Sequence, residues 1–281
     1  MNYIFLVVMF YFAHSFPIKG TSHVRSLIMR GGSSKKQVDF IPRNIDHYPV
    51  YNPRGPNQKL YVNYLNDPSV SVLVSTGPAG TGKTLFACST AVQELMDRNI
   101  DKIVLTRPIV PVEEDIGYLP GSLVSKMHPW TRPIFDILEE FYSLRDIDSM
   151  IHSGIIEISP LAFMRGRTFK RSFVIADEMQ NSSPNQMLML ATRLGENSRM
   201  VITGDLKQSD RCENNGLLDL MNKLDVYNKP MNSIKQVKMD QRDVQRSKTV
   251  SNILRVYGED MPPSDSTNHS SYSVFSKYKS S

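Results

Sequence analysis

Short apolar runs bounded by turn residues recur along the chain at Val70–Val74, Lys102–Thr106, Ile155–Ser159, Ser172–Ala176 and Arg199–Thr203, and the more polar Ser233–Lys238 reads as a further strand. Each has the length of a strand. Between them lie stretches of helical composition: Gln58–Asn66, Leu85–Arg98, part of Pro129–Ser143, Pro184–Leu194, Gly216–Leu224 and Asp243–Val256. Pro108–Pro129 reads as a long connection. Strands alternating with helices predict crossover connections, and so an α/β fold with a mainly parallel sheet and helices on both faces. A length of 281 residues suits one such domain with extensions, and no internal repeat is visible.

The two ends break the pattern. Ile4–Ala13 is an apolar run too short to span a bilayer as a helix, and residues 17–37 carry Ser, Lys and Arg without an acidic residue. Residues 1–38 are therefore expected to be a removable signal- or transit-like leader, of the bipartite kind that directs proteins to plastids or another organelle. A misassigned start site on a cytoplasmic protein is the alternative. Residues 258–281 are Ser- and Pro-rich with little to bury and are expected to be disordered.

Charge changes the picture less than it first suggests. The formal net charge is +5 and the pI about 9.1. Lys19, Arg25, Arg30, Lys35 and Lys36 of the leader account for the whole excess, so bulk charge identifies no polyanionic partner for the folded part. The two cysteines, Cys88 and Cys212, build neither a disulfide framework nor a zinc site; Cys88 reads as a small core residue.

The chemistry begins directly after the first apolar run. Gly77, Pro78, Ala79, Gly80, Thr81, Gly82, Lys83 and Thr84 form a complete G-x-x-x-x-G-K-T between a strand and a helix, the context of a phosphate-binding loop. Its glycines let successive N–H groups face an anion, and the helix adds the positive end of its dipole. Lys83 is expected to reach the β- and γ-phosphates of a nucleoside triphosphate, and the Thr84 hydroxyl to ligate Mg²⁺. Asp177 and Glu178 follow the apolar residues Phe173–Ala176. That placement suits Asp177 to hold Mg²⁺ and Glu178 to activate water, although adjacent acids also occur on ordinary surfaces. Gly204-Asp205-Leu206-Lys207-Gln208 ends the next strand, and the Gln208 amide can hydrogen-bond a γ-phosphate there.

Read together, these motifs resemble those of PhoH-like ATPases. The matching stretches are GPAGTGKT (77–84), TRP (106–108), EDIGYLPGSL (114–123), KMHPW (126–130), RPIFD (132–136), LAFMRGRTF (161–169), DEMQN (177–181) and GDLKQSD (204–210), within a span from about Asn57 to Tyr257. DEMQ is the DExQ form of the Walker B motif, and GDLKQ resembles the following motif of superfamily 1 helicases. The resemblance implies a single RecA-like P-loop domain over residues 39–257, ATP hydrolysis with Mg²⁺, and RNA as the associated polymer. It also gives Gln58 an expected role in reading the adenine edge, with a surface glutamine as the alternative. Thr106 and Arg107 are implied to touch a nucleic-acid backbone. Arg165 and Arg167 could clamp phosphates or form structural ion pairs. Trp130 and Phe163 could stack bases or belong to the core.

A single RecA-like core lacks the second domain that supplies an arginine to transition-state charge in two-domain helicases. The chain is therefore expected to form a homo-oligomeric ring, with six members the first expectation from the family, and Arg246 or Arg193 serving a neighbour's nucleotide. Arg246 stands in a segment that departs from the family pattern at Gln245. The leading functional expectation is an ATPase coupled to binding or remodelling of single-stranded RNA; the alternative is a slow ATP-dependent switch or scaffold for a protein partner.

Overall fold

The computed structural model describes residues 49–108, 123–210, 215–227, 229, 231–245 and 248–256. The leader, the C-terminal tail, Cys212, Arg246 and most of the 108–129 connection lie outside them. In chain order the elements are α1 (Pro56–Asn66), β1 (Val72–Thr76), α2 (Lys83–Met96), β2 (Lys102–Thr106), α3 (Leu123–Leu138), α4 (Leu144–Ser153), β3 (Ile156–Ile158), β4 (Ser172–Ala176), α5 (Pro184–Ala191), β5 (Arg199–Gly204), α6 (Gly216–Val226), β6 (Ile234–Lys238) and α7 (Lys248–Val256). The six strands form one sheet in the order β3-β2-β4-β5-β1-β6, and every strand pair in it is parallel.

Alternate residues of each central strand enter separate cores, as the pleat requires. Leu73, Ile103, Leu105, Phe173, Ile175 and Val201 pack on one face with Tyr61 and Leu65 of α1, Phe86 and Ala91 of α2, Phe135 and Leu138 of α3, and Ile147 and Met150 of α4. Val74, Val104, Val174, Met200 and Ile202 pack on the other with Met187 and Leu190 of α5 and Leu217 and Met221 of α6. A RecA-like α/β domain with helices on both faces is therefore what the sequence folds into. Cys88 is buried in the first core, and burial pushes its thiol pKa up, as an inert core residue should show.

Some boundaries differ from the sequence pattern for identifiable reasons. The helix expected within Pro129–Ser143 begins earlier, at Leu123, and stops at Leu138. A further helix, α4, fills Leu144–Ser153, which the pattern left unassigned. Ser143 and Asp146 form a reciprocal capping box at its start, and Gly154 ends it at φ 76°. The helix expected from Asp243 instead starts at Lys248, because Asp243 is turned inward. Its carboxylate accepts the backbone N–H groups of Asn57 and Gln58 and so caps α1, whose own N-cap residue, Gly55, supplies no side-chain cap. Gly55 has to be glycine: a Cβ there would lie 2.0 Å from Asp243 Oδ1.

At the opposite end of the sheet from the strand tips, Arg199 locks the α1–β1 connection. It donates to the carbonyls of Tyr64, Asp67 and Val70 and pairs with Glu94. Burial pulls its pKa down, with Glu94 and Asp67 opposing. Arg199→Met should destabilise the fold by about 1.5–3 kcal/mol, because three carbonyls lose a charged donor. Urea denaturation checks this, and an unchanged midpoint would contradict it.

Candidate functional site

The sheet order brings the site together. β5 lies between β1, which feeds the phosphate loop, and β4, which feeds the acid pair. Parallel strands place all their C-terminal tips on one edge, where α/β sheets bind ligands. The loop turns through Gly77, Gly80 and Gly82 at φ 142°, 81° and 82°, values that L side chains rarely adopt. Gly77 is also packed so closely against β6's successor Met239 that a Cβ would sit 2.4 Å from its carbonyl oxygen. The loop is thus shaped by glycine on both conformational and packing grounds.

Lys83 opens α2 and folds back over the loop, its Nζ donating to the carbonyls of Gly77 at 2.7 Å and Pro78 at 2.9 Å. Burial draws its pKa below the ordinary lysine value, opposed by the carboxylates of Asp205, Glu178 and Asp177. One residue on, Thr84 Oγ1 donates to Asp177 Oδ1 at 3.0 Å. The same carboxylate oxygen accepts the Thr203 hydroxyl from β5, and the Asp177 N–H donates to the Thr106 carbonyl at 2.9 Å. Asp177 therefore joins α2, β5 and β2 at one point.

Glu178 has backbone angles of φ 54° and ψ 38°, in the left-handed region, which costs a non-glycine residue about 1–2 kcal/mol. Its carboxylate accepts a hydrogen bond from Gln180 Nε2 at 2.6 Å and lies 3.9 Å from Arg107 Nη2. The other end of the Gln180 amide accepts from Asp205 N at 3.1 Å. Buried Gln180 thus ties the acid to the tip of β5. A Cβ on Gly204 would lie 2.6 Å from Gln180 Oε1, so glycine is what admits this amide.

Oxygen donors from a hydroxyl and a carboxylate, beside a phosphate loop, fit Mg²⁺. That ion commonly takes one or two carboxylates together with substrate phosphates. Among the described residues no cluster of three or more His, Cys, Asp or Glu side chains suggests another metal. Beside the loop lies a cleft of about 510 Å³, lined among others by Tyr51, Asn52, Arg54, Phe86 and Gln245.

Gln58 borders that cleft but is neither a surface residue nor a free reader. Its Oε1 accepts from the N–H groups of Arg54 and Gly55, and its Nε2 donates to the carbonyls of Thr81 and Asp243. All four hydrogen-bonding positions of the amide are taken. Its evident work is to fasten α1 and the 240–245 turn to the phosphate loop, which Gln245 N reinforces through the Gly80 carbonyl at 2.9 Å.

The expected nucleic-acid residues separate. Thr106 is only 1% exposed, so its side chain cannot reach a polymer; burial at the sheet edge overrides that assignment. Arg107 is part-exposed and faces Glu178. Arg167 is a structural ion pair: it grips Glu157 through two nitrogens and stacks over Phe169. Burial alone would raise the Glu157 carboxyl, but Arg167 and Lys102 outweigh it and hold its pKa low. Arg165 is exposed, and so is Phe163, at 61%, which excludes the core alternative for that ring. The side chain of Trp130 is outside the described part. Gln208 is exposed on the 3-10 turn Leu206–Gln208. Arg193 donates to the carbonyls of Met189 and Arg167 and to Thr192 Oγ1. Those bonds leave its guanidinium poorly disposed to serve a neighbour. The residues that pattern reading passed over are Gln180, Thr203 and Asp243, although DEMQ and ITGD carried the first two in view.

Residues 50–258 match the family described as PhoH-like protein. This chain belongs to the PhoH-like family. It is 40% identical over 202 residues to a PhoH-like protein of Synechocystis sp., covering 71% of this chain and 60% of that one. To a PhoH-like protein of Bacillus subtilis it is 44% identical over 183 residues, 64% of this chain and 56% of the relative. The matched part thus spans less than two thirds of each relative. Among solved structures, the Pif1 helicase of Candida albicans aligns with 14% identity and a TM-score of 0.30, over 74% of this chain and 44% of that one. Family and phosphate loop together make this PhoH-like chain a nucleotide-binding P-loop protein.

The geometry of Gln58 separates anchoring from base reading. Gln58→Glu keeps the two acceptor contacts but sets carboxylate oxygens against the Thr81 and Asp243 carbonyls. It should weaken ATP and GTP binding alike, by about five- to tenfold for the loss of two hydrogen bonds. Titration of both nucleotides checks this; a loss confined to ATP would restore the adenine-reading role.

Proposed function

We propose that this PhoH-like protein hydrolyses ATP with Mg²⁺ and couples turnover to single-stranded RNA. The observation that carries the catalytic part is the meeting of Thr84 and Asp177 at 3.0 Å, with Glu178 next in sequence and Lys83 beside them. Thr84 and Asp177 would hold Mg²⁺, which neutralises charge on the β- and γ-phosphates. Lys83 exchanges its loop carbonyls for the γ-phosphate, a gain because phosphate oxygens are charged acceptors. Glu178 accepts the proton of the attacking water, and Gln180 keeps its carboxylate registered with the tip of β5. Gln208, exposed on the turn that follows β5, would sense the γ-phosphate.

RNA enters the proposal through the family and through exposed Arg165 and Phe163, a guanidinium and a ring suited to phosphate and base. With Arg193 engaged internally, the arginine that stabilises transition-state charge falls to Arg246 of a second copy, in a six-membered ring. Such an arginine is worth about 10³–10⁵ in rate. A slow ATP-dependent switch is the second reading, favoured by the hold that Gln180 and Arg107 keep on Glu178.

Lys83→Ala should lose most triphosphate affinity, whereas Glu178→Gln should keep ATP bound while turnover falls about 10²–10⁴-fold. Binding of a fluorescent ATP analogue and phosphate release measure the two effects. Native turnover in Glu178→Gln would remove the general base from this account and favour the switch.

A further inference from the structure

The cleft of about 510 Å³ meets the phosphate loop at Gly80 and Gly82, and none of its lining among the described residues belongs to the tips of β4 or β5, where the acid pair stands. A nucleotide whose terminal phosphate faces Asp177 would therefore carry its base into this cleft. The polar side chains there are not equally available. Gln58 has both ends of its amide engaged with the protein itself. Gln245 is fastened by its backbone N–H to the Gly80 carbonyl at 2.9 Å, and its Oε1 accepts from Arg54 Nη1 at 3.2 Å. That bond turns the amide so that Gln245 presents its Nε2 donor. It also leaves the Nε and Nη2 edge of the Arg54 guanidinium open. The pair thus offers several N–H groups and only the second lone pair of one engaged oxygen.

We propose that Arg54 and Gln245 form a base-reading pair that takes the O6 and N7 acceptors of guanine, so that the protein uses GTP as well as ATP, an assignment that rests on reading the phosphate loop as a nucleoside triphosphate site. Guanine carries two acceptors, O6 and N7, on one edge, and the fork of a guanidinium meets them with two hydrogen bonds. Adenine puts an N6 amine donor where guanine has O6, and a glutamine reads it only by using both ends of its amide. Gln245 would have to release Arg54 to do so. Asn52, exposed in the same lining, makes no hydrogen bond among the described residues and keeps both ends of its amide for adenine. The two purines therefore find different partners in one cleft. Rejection of guanine needs an acceptor fixed opposite its O6, and the described lining places donors there instead.

Titration of the full chain with ADP, GDP and 7-deaza-GDP in the presence of Mg²⁺ tests this, the diphosphates being chosen so that turnover does not disturb binding. Native protein should bind GDP within about tenfold of ADP, since no contact is built against guanine. 7-Deaza-GDP lacks the N7 acceptor and should bind native protein about five- to tenfold more weakly than GDP. Arg54→Ala and Gln245→Met should each lower the affinity for GDP relative to ADP by about the same factor, and Arg54→Ala should bind GDP and 7-deaza-GDP alike. Both residues are exposed, so neither variant empties the core. A ratio between two nucleotides is also not moved by a fraction of unfolded protein. GDP bound more than about tenfold more weakly than ADP by native protein overturns the pair as a guanine reader. So does a ratio of GDP to ADP affinity that stays unchanged in both variants. Failure of native protein to bind either diphosphate would instead overturn the nucleotide site beneath it, whatever the variants do.

Discussion

A single carboxylate holds the site in register. Asp177 accepts hydroxyls from Thr84 and Thr203 and donates its own N–H to Thr106, so the start of α2 and the tips of β5, β4 and β2 converge on it. Nothing in local sequence brings those four segments together. They meet because β5 is inserted between β1 and β4, which spaces the phosphate loop one strand away from the acid pair. Two hydroxyl donors satisfy a carboxylate that is otherwise buried and would be costly to leave alone. The same three oxygen-bearing groups are a suitable surrounding for a hard cation. Structural economy and candidate chemistry therefore rest on one residue.

Around that point the structure contains tethers that connect the loop to more distant segments. Gln58 joins α1 to the Thr81 carbonyl and to the turn that carries Asp243, and Gln245 reaches Gly80 from the same turn. Gln180 bridges Glu178 to Asp205. Gln58 and Gln180 do this with side-chain amides whose donor and acceptor ends serve different segments, which a charged or apolar residue cannot do, whereas Gln245 uses its backbone N–H. The strained backbone of Glu178 is held by this framework, consistent with the way outlier conformations gather where the surroundings over-determine them. A ligand that moves the loop has direct mechanical routes to α1, to the 240–245 turn and to β5.

Much of this was legible in the sequence. The five apolar runs became strands because parallel, doubly covered strands are continuous apolar stretches, and the more polar Ser233–Lys238 became the edge strand β6. The glycine loop and the acid pair were found because their chemistry is local and needs fixed spacing. What escaped was whatever depended on tertiary placement. Gln58 reads in the sequence as an adenine reader or a surface residue, yet partners from residues 54, 55, 81 and 243 consume its amide. Asp243 was placed in a helix that it does not join, because its carboxylate is recruited to cap another. Thr106 was assigned to a polymer although the tip of β2 is covered. The helix α4 was missed despite its Ser143–Asp146 box and Gly154, since its polar composition hid a narrow apolar stripe. Arg167 could be weighed only as clamp or ion pair, and Glu157 decided it from ten residues away.

The central claim is that Asp177, with Thr84, makes nucleotide binding depend on Mg²⁺. The most direct measurement is the affinity of a fluorescent ATP analogue for native protein and for Asp177→Asn, with Mg²⁺ and with EDTA. Asparagine still offers an acceptor to the two hydroxyls but carries no charge for the cation. Native protein should bind more tightly with Mg²⁺, and Asp177→Asn should bind equally with and without it. An undiminished Mg²⁺ effect in a folded Asp177→Asn protein would contradict the account.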